Sequence, residues 1–266
     1  MEKKIVILTG ANGGIGSNLI THLLKENYQV IAIDLTNSRI KDMDVEFYSC
    51  DLTKEDEVRK IYDEISKKHP HVDVIINAVG IFLMESIIEG EIDHFKKIID
   101  VNFFSIYIFN KIFFPLLDKT SRIINITSEV AKYTSQPFEG YYSLSKRFLD
   151  EYTDVLRREA NYLGIKVIKI RSGNMATPLV KGVNKEYQQM VDNSKYFKSP
   201  LTKLKYMMDR ELKKSNDPSI ISKKIIKVMK KKHPRISYKV KNSFYLALVG
   251  NMPESLQDKI YLKVIK

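Results

Sequence analysis

Thr9-Gly10-Ala11-Asn12-Gly13-Gly14-Ile15-Gly16 is the stretch that decides the fold of this 266-residue chain. It follows the apolar run Ile5-Val6-Ile7-Leu8, suited to a buried parallel strand. It opens residues 15–26, where Ile15, Leu19 and Leu23 have helical spacing. Glycines between strand and helix allow a sharp turn and let backbone N–H groups approach a pyrophosphate at the helix N-terminus. Gly10, Asn12, Gly13, Gly14, Ile15 and Gly16 are therefore candidate contacts of a dinucleotide. A second apolar run, Val30-Ile31-Ala32-Ile33, ends in Asp34. A carboxylate there accepts hydrogen bonds from both adenosine ribose hydroxyls and repels a 2′-phosphate, which predicts NAD rather than NADP. Arg39 nearby is the feature that would favour NADP.

The second informative stretch is Tyr142-Ser143-Leu144-Ser145-Lys146. A free tyrosine has a pKa of about 10, so only about one in a thousand is ionised at neutral pH. Lys146, at i+4 on a helix, sits beside Tyr142, and its charge is expected to favour the phenolate. Tyr142 then exchanges a proton with a carbonyl or alcohol oxygen while a nicotinamide exchanges a hydride with carbon. Tyr141 is adjacent, but only Tyr142 lies four residues before a lysine.

Further motifs follow in order. They are Cys50-Asp51-Leu52, Asn77-Ala78-Val79-Gly80, Val101-Asn102, Ile123-Ile124-Asn125-Ile126-Thr127-Ser128 and Ser172-Gly173-Asn174-Met175-Ala176-Thr177. Jointly the chain resembles a short-chain dehydrogenase/reductase over about residues 3–177. Ala78, Val79 and Ser172 depart from that family's usual asparagine, alanine and proline. The resemblance implies a catalytic tetrad of Asn102, Ser128, Tyr142 and Lys146. Ser128 would hydrogen-bond the substrate oxygen where negative charge develops, and Lys146 would also bind the nicotinamide ribose. Asn102 would bend its helix and hold a water linking Lys146 to solvent. Asp51 and Leu52 would contact adenine, and Asn77, Ala78, Val79, Gly80, Gly173, Met175 and Thr177 would complete the cofactor site. Ser128 lies one residue farther upstream of the tyrosine than is commonest in the family, an offset the loop 129–140 absorbs; Thr127 and Ser135 are the competing hydroxyls.

The glycine pattern fits both the short form and the extended form of the family, which includes sugar epimerases and dehydratases. Chain length, the Asn77 motif and the 172–177 stretch favour the short form. A dinucleotide-sensing protein without catalysis is the other alternative; the presence of Tyr142, Lys146, Ser128 and Asn102 argues against it.

Strands near 4–9, 29–34, 45–50, 72–77, 121–127 and 165–170 alternate with helical stretches. That alternation predicts an α/β fold, a Rossmann-like doubly wound parallel sheet between two helical layers, in a single domain over 1–266. Residues 1–177 form its cofactor-binding and catalytic core, and 178–266 the substrate lid and C-terminal helices. Residues 103–117 are nearly all apolar, which predicts a helix buried on more than one side. The resemblance implies that helices near 97–117 and 141–163 form a homodimer interface.

Met1-Glu2-Lys3-Lys4 leads straight into the first strand, no apolar run approaches the eighteen or so residues of a membrane span, and Cys50 is the single cysteine. A cytoplasmic protein is expected. The five histidines lack metal-ligand spacing, so no metal is expected. The net charge of +12 comes without a nucleic-acid motif, so a nucleic-acid partner is not expected. Lys223, Lys224, Lys227 and Lys230 alternate with Ile225, Ile226, Val228 and Met229 as one wet helix face.

Residues 234–240, the apolar Phe244-Tyr245-Leu246-Ala247-Leu248-Val249 and the segment from Met252 onward resemble the branch acting on retinoids, sterols and other lipophilic alcohols or ketones. Flanking lysines make peripheral membrane contact a further expectation. Between Thr177 and Pro218, the aromatics and methionines Tyr187, Met190, Tyr196, Phe197, Tyr206, Met207 and Met208 suit a lid over an apolar small-molecule substrate.

Overall fold

A computed structural model of the chain describes residues 3–133, 135–177, 183–212 and 215–265. Its elements run β1 (Ile5–Thr9), α1 (Gly14–Lys25), β2 (Gln29–Asp34), β3 (Glu46–Ser49), α2 (Glu55–Lys68), β4 (Val74–Asn77), α3 (Ile92–Ile99), α4 (Ser105–Phe113), β5 (Arg122–Ser128) and α5 (Gly140–Ala160). They continue β6 (Lys166–Ser172), α6 (Val183–Asn193), α7 (Lys198–Leu212), α8 (Ser219–Met229), β7 (Ser237–Val240), α9 (Phe244–Val249) and α10 (Glu254–Ile265). The strands form one parallel sheet in the order β3-β2-β1-β4-β5-β6-β7.

The central strands β1, β2 and β4 are buried on both faces, which is why they are nearly continuous apolar runs. On one face α1 and α8 cover Val6, Leu8, Val30, Ile124 and Ile168; on the other, α2, α4 and α5 cover Ile7, Ile31, Ile75, Ile123 and Val167. The six expected strands are present with ends shifted by up to two residues. The seventh, Ser237–Val240, falls within the stretch 234–240, which the sequence reading had not assigned as a strand. Its residues alternate, with Tyr238 and Val240 buried and Lys239 exposed, because one face packs on α8 at the sheet edge.

The helical stretch Ile92–Leu116 is 25 residues long and apolar enough to cross a membrane by length and composition, in contrast to the expectation that no such segment exists. Phe109 and Phe113 stack 4.2 Å apart inside the core and Ile106 is fully buried, whereas Phe104 and Tyr107 face outward. The stretch packs against α2 and, through its π-turn, against α5, as a core helix does. Arg122 closes the C-terminus of α8 by donating to the carbonyls of Val228, Met229 and Lys231, which anchors the lysine-bearing helix to β5.

Glu46 pins β3 to the end of α2. It accepts hydrogen bonds from Lys68 Nζ, Tyr48 Oη and His69 Nε2. Burial raises its pKa, but the bonds from Lys68, Tyr48 and His69 outweigh that and hold the carboxyl at about 2. A folded-state pKa below the unfolded value stabilises the fold above about pH 4.5 and loses that contribution as pH falls toward 2. Glu46→Gln is expected to lower stability by roughly 1–2 kcal/mol at pH 7 after allowance for solvent screening, with the difference from wild type shrinking below about pH 4. Urea melts at pH 7 and pH 3.5 check this; an equal loss at both would show that the charge contributes nothing.

Candidate active site

The site is built where β1 and β4 end side by side. Gly10 has φ +68, and a Cβ there would fall 2.7 Å from the backbone of Ala78 and Val79. A Cβ on Gly16 would lie 2.1 Å from the Gly10 carbonyl oxygen. The turn therefore requires glycine for backbone against backbone, and the N-terminus of α1 opens beside it. Ile15 packs against the core and Gly13 is exposed. Gly14, Ser17, Arg39, Ala176 and Thr177 line a cleft of about 440 Å³ there.

Asp34 closes the other side. Its carboxylate accepts from Asn12 N (2.9 Å) and Leu35 N (2.7 Å). The Asn12 side chain donates to Thr36 and Ser38 hydroxyls and accepts from Arg39 N, which folds the segment after β2 over the turn. Glycines in close backbone contact, an open helix N-terminus and an oriented carboxylate form a cradle that fits a dinucleotide.

Several residues expected at the cofactor are committed elsewhere. Asn77 is fully buried: Thr9 Oγ1 donates to it, and its Nδ2 donates to Asn110 and Asn125, both at 2.8 Å. Its amide ties β1, β4, β5 and α4 together. Gly173 is required by Lys241, whose carbonyl oxygen lies 2.0 Å from where a Cβ would stand. The side chains of Leu52 and Met175 are buried in the core. Asp51 Oδ1 accepts from the Thr53 amide and hydroxyl and so shapes the turn into α2. Tyr206, Met207 and Met208 lie outside the described side chains.

The four expected catalytic residues converge. Asn102 sits in a π-turn, Asp100–Phe104, between α3 and α4. Its Oδ1 accepts from Ile81 N (2.7 Å), and its Nδ2 donates to Ile81 O (2.9 Å) and Ser145 Oγ (2.8 Å). Ser145 Oγ donates to Tyr142 O. Lys146 is 6% exposed, and its Nζ and Asn102 Oδ1 both lie against Gly80, where a Cβ would be 2.8 and 3.3 Å from them. Ser128, at the end of β5, hydrogen-bonds the Tyr142 phenol. The Thr127 hydroxyl donates to Asp150 instead, and Tyr141 packs against Phe95, so neither competes.

The electrostatics differ from expectation in one respect. Burial, reinforced by Glu139 and Glu129, pushes the Tyr142 phenol up to about 12 in spite of the Ser128 bond. Burial also pushes Lys146 down to about 8. With Nζ 5.8 Å from the Tyr142 ring centre, the cation does not offset the desolvation of the phenol.

Other contributors were not legible in the sequence. Phe82 meets the Tyr142 ring edge-on at 4.8 Å. Phe138, with φ +66, reaches Phe197 between α6 and α7. Asp150 accepts from Lys169 and, in a forked pair, from Arg171, which are 3% and 14% exposed, directly behind Thr127. A patterned signal existed only for Asp150, two helical turns after Tyr142.

Fold and site together define a nucleotide-dependent oxidoreductase architecture, and comparison with known proteins is consistent. Residues 4–188 match the short chain dehydrogenase family. The probable short-chain type dehydrogenase/reductase VdlC of Helicobacter pylori is 31% identical over 174 residues, 64% of either chain. A short chain dehydrogenase family protein from Francisella tularensis superposes with TM-score 0.75 at 24% identity, covering 90% of this chain and 98% of that one. A short chain dehydrogenase from Burkholderia cenocepacia in complex with NADP superposes with TM-score 0.74 at 16% identity, covering 100% and 98%. The chain belongs to the short-chain dehydrogenase family, whose members are nicotinamide-dependent oxidoreductases.

Proposed function

We propose that the protein interconverts an alcohol and a ketone or aldehyde at Ser128, Tyr142 and Lys146, with NAD as its dinucleotide and a lipophilic molecule as its substrate. The observation that carries this reading is the Ser128–Tyr142 hydrogen bond one helical turn from Lys146, which lies with Asn102 against Gly80. Bound dinucleotide supplies or accepts the hydride. Gly10, Asn12, Gly13, Gly14, Ile15, Gly16 and Asp34 would hold its adenosine diphosphate part. Asp51, Leu52, Ala78, Val79, Gly80, Lys146, Met175 and Thr177 would complete the contacts, Leu52 and Met175 through their backbones.

In reduction Tyr142 gives its proton to the carbonyl oxygen; in oxidation it takes one from the hydroxyl. Ser128 donates a hydrogen bond to the same oxygen as negative charge develops. Charged Lys146 favours the phenolate left behind, and Asn102 fixes the loop against which Lys146 rests. Tyr142 protonated and Lys146 charged coexist below about pH 8. Reduction is therefore expected to hold steady near pH 6–7.5 and to decline above about 8 as Lys146 loses its proton. Tyr142→Phe should bind dinucleotide within about threefold of wild type yet lose at least about 10³ in turnover. Turnover within tenfold of wild type would remove Tyr142 from the mechanism.

Support for a lipophilic substrate comes from the apolar cluster of Met84, Tyr187, Val191 and Leu201, with Phe82, Phe138, Met190 and Phe197 packed around it beside Tyr142. Support for NAD comes from the Asp34 carboxylate, while Arg39 on the cleft supports NADP. Turnover of long-chain and small polar ketones with NADH and NADPH separates these readings. Preference for NADH and the long-chain set is expected; preference for polar ketones or for NADPH overturns the corresponding half.

Phe104 on the π-turn, Tyr107 on α4 and Phe148 on α5 are exposed, and a second copy of the chain is their proposed partner. Phe244, Tyr245 and Leu248 are exposed on α9 beside the exposed Lys241, which suits peripheral contact with an anionic membrane. Sedimentation with and without anionic vesicles tests both: a dimer that pellets with vesicles is expected. A monomer removes the first assignment, and a supernatant species removes the second.

A further inference from the structure

The lid helices α6 and α7 are joined by a turn over residues 194–197 that hangs from a carboxylate on another part of the chain. Glu89, between β4 and α3, accepts from Ser194 Oγ (2.7 Å), Lys195 N (2.7 Å) and Tyr196 N (2.9 Å). Ser194 Oγ itself accepts from Phe197 N (2.8 Å), so the turn is organised around one acceptor and one hydroxyl. The bond from Ser194 and the two amides hold the Glu89 carboxyl below the usual carboxylate range, so it is ionised at neutral pH.

The segment bearing Glu89 begins at the catalytic residues. Ile81 is held on both backbone groups by Asn102, and Phe82 lies edge-on to Tyr142. Met84 is buried in the apolar cluster of the lid, and Glu85 N donates to Phe138 O (2.9 Å). Residues 81–89 therefore run from the Asn102 clamp at one end to the lid turn at the other.

Apolar packing alone does not set where the turn sits. Leucines, phenylalanines and methionines repack with little preference for orientation, whereas three hydrogen bonds to one carboxylate specify a single placement. We infer that Glu89 is a substrate-positioning residue: its carboxylate latches the α6–α7 turn to the active-site loop, and productive binding of the alcohol or carbonyl substrate depends on that latch while dinucleotide binding does not. This rests on the reading of 183–212 as the cover of a lipophilic substrate. Glu89 touches no reacting atom in this arrangement and acts through the lid.

Hydrogen exchange on the full chain with NADH present tests the latch directly. In Glu89→Ala, amides in peptides spanning 190–204 are expected to exchange about tenfold faster or more, with NADH affinity within about twofold of wild type. KM for the best ketone of the panel should rise about tenfold while kcat changes less than about threefold. Glu89→Gln keeps a carbonyl acceptor for the amides and should restore most of the protection. Ser194→Ala, which removes the hydroxyl's bonds to Glu89 and from Phe197 N but leaves both amide bonds to the carboxylate, should show the same change in smaller measure and serves if the alanine variant fails to fold. Unchanged exchange in Glu89→Ala overturns the latch, as does a parallel loss of NADH affinity. Faster exchange together with a preference for small polar ketones leaves the latch standing and removes the lipophilic reading alone.

Discussion

Asn102 is the side chain on which the geometry of the site depends. It is fully buried, and its amide joins three pieces of chain: its own helix, the backbone of Ile81 after β4, and Ser145 on the helix that carries Tyr142 and Lys146. The π-turn over Asp100–Phe104 widens the helix locally, as such turns do near functional sites. Removing the amide would leave the Ile81 backbone groups without a partner in the interior, at a cost of about 1–3 kcal/mol each. The same loss would free Gly80, and with it the surface on which the Lys146 ammonium rests.

A second constraint works through desolvation. The pocket that packs Tyr142 against Phe82 and encloses Lys146 disfavours charge on both, so the phenol rises and the ammonium falls. Between β6 and α5 the buried charges are paired. Lys169 and Arg171 meet Asp150 and Asp154 between β6 and α5, and Thr127 donates into the same carboxylate. Such a cluster is weak evidence of added stability, since burying both ions is costly. It does specify how the helix bearing Tyr142 sits on the strand that ends in Ser128.

The order strand, glycine turn, helix, strand, acid was legible because each step has a local cause: apolar runs, helical spacing and the absence of a Cβ. Tyr142 and Lys146 stood out through their residue types and i, i+4 spacing, whereas Ser128 and Asn102 entered only through the resemblance to the family. The internal contacts of Asn77 and Gly173 were not legible, because their partners (Asn110, Asn125 and Lys241) come from distant chain and leave no local trace. The direction of the Tyr142 shift was misjudged: sequence shows the neighbouring cation but not how much water the fold removes. The seventh strand is four residues long with one buried face, which gives periodicity little to register. Glu89 lies 105 residues from Ser194 and reads locally as one acid in a loop.

The two halves of the site are held by different kinds of contact, and this bears on how the chain diverges from its relatives. On the dinucleotide side, Gly10 and Gly16 are opposed by backbone atoms that no rotamer change moves aside. Substitution there strains the fold itself, so that side has little freedom. On the substrate side the lid is placed by a carboxylate, by apolar side chains and by Phe138, whose φ of +66 is sustained by packing on Phe197. Each of those contacts yields to a single exchange of side chain without disturbing the sheet. The family match ends at residue 188, shortly after the chain passes from the first regime to the second. A fold divided in this way keeps its glycine turn fixed while the side-chain contacts of the other half are free to change.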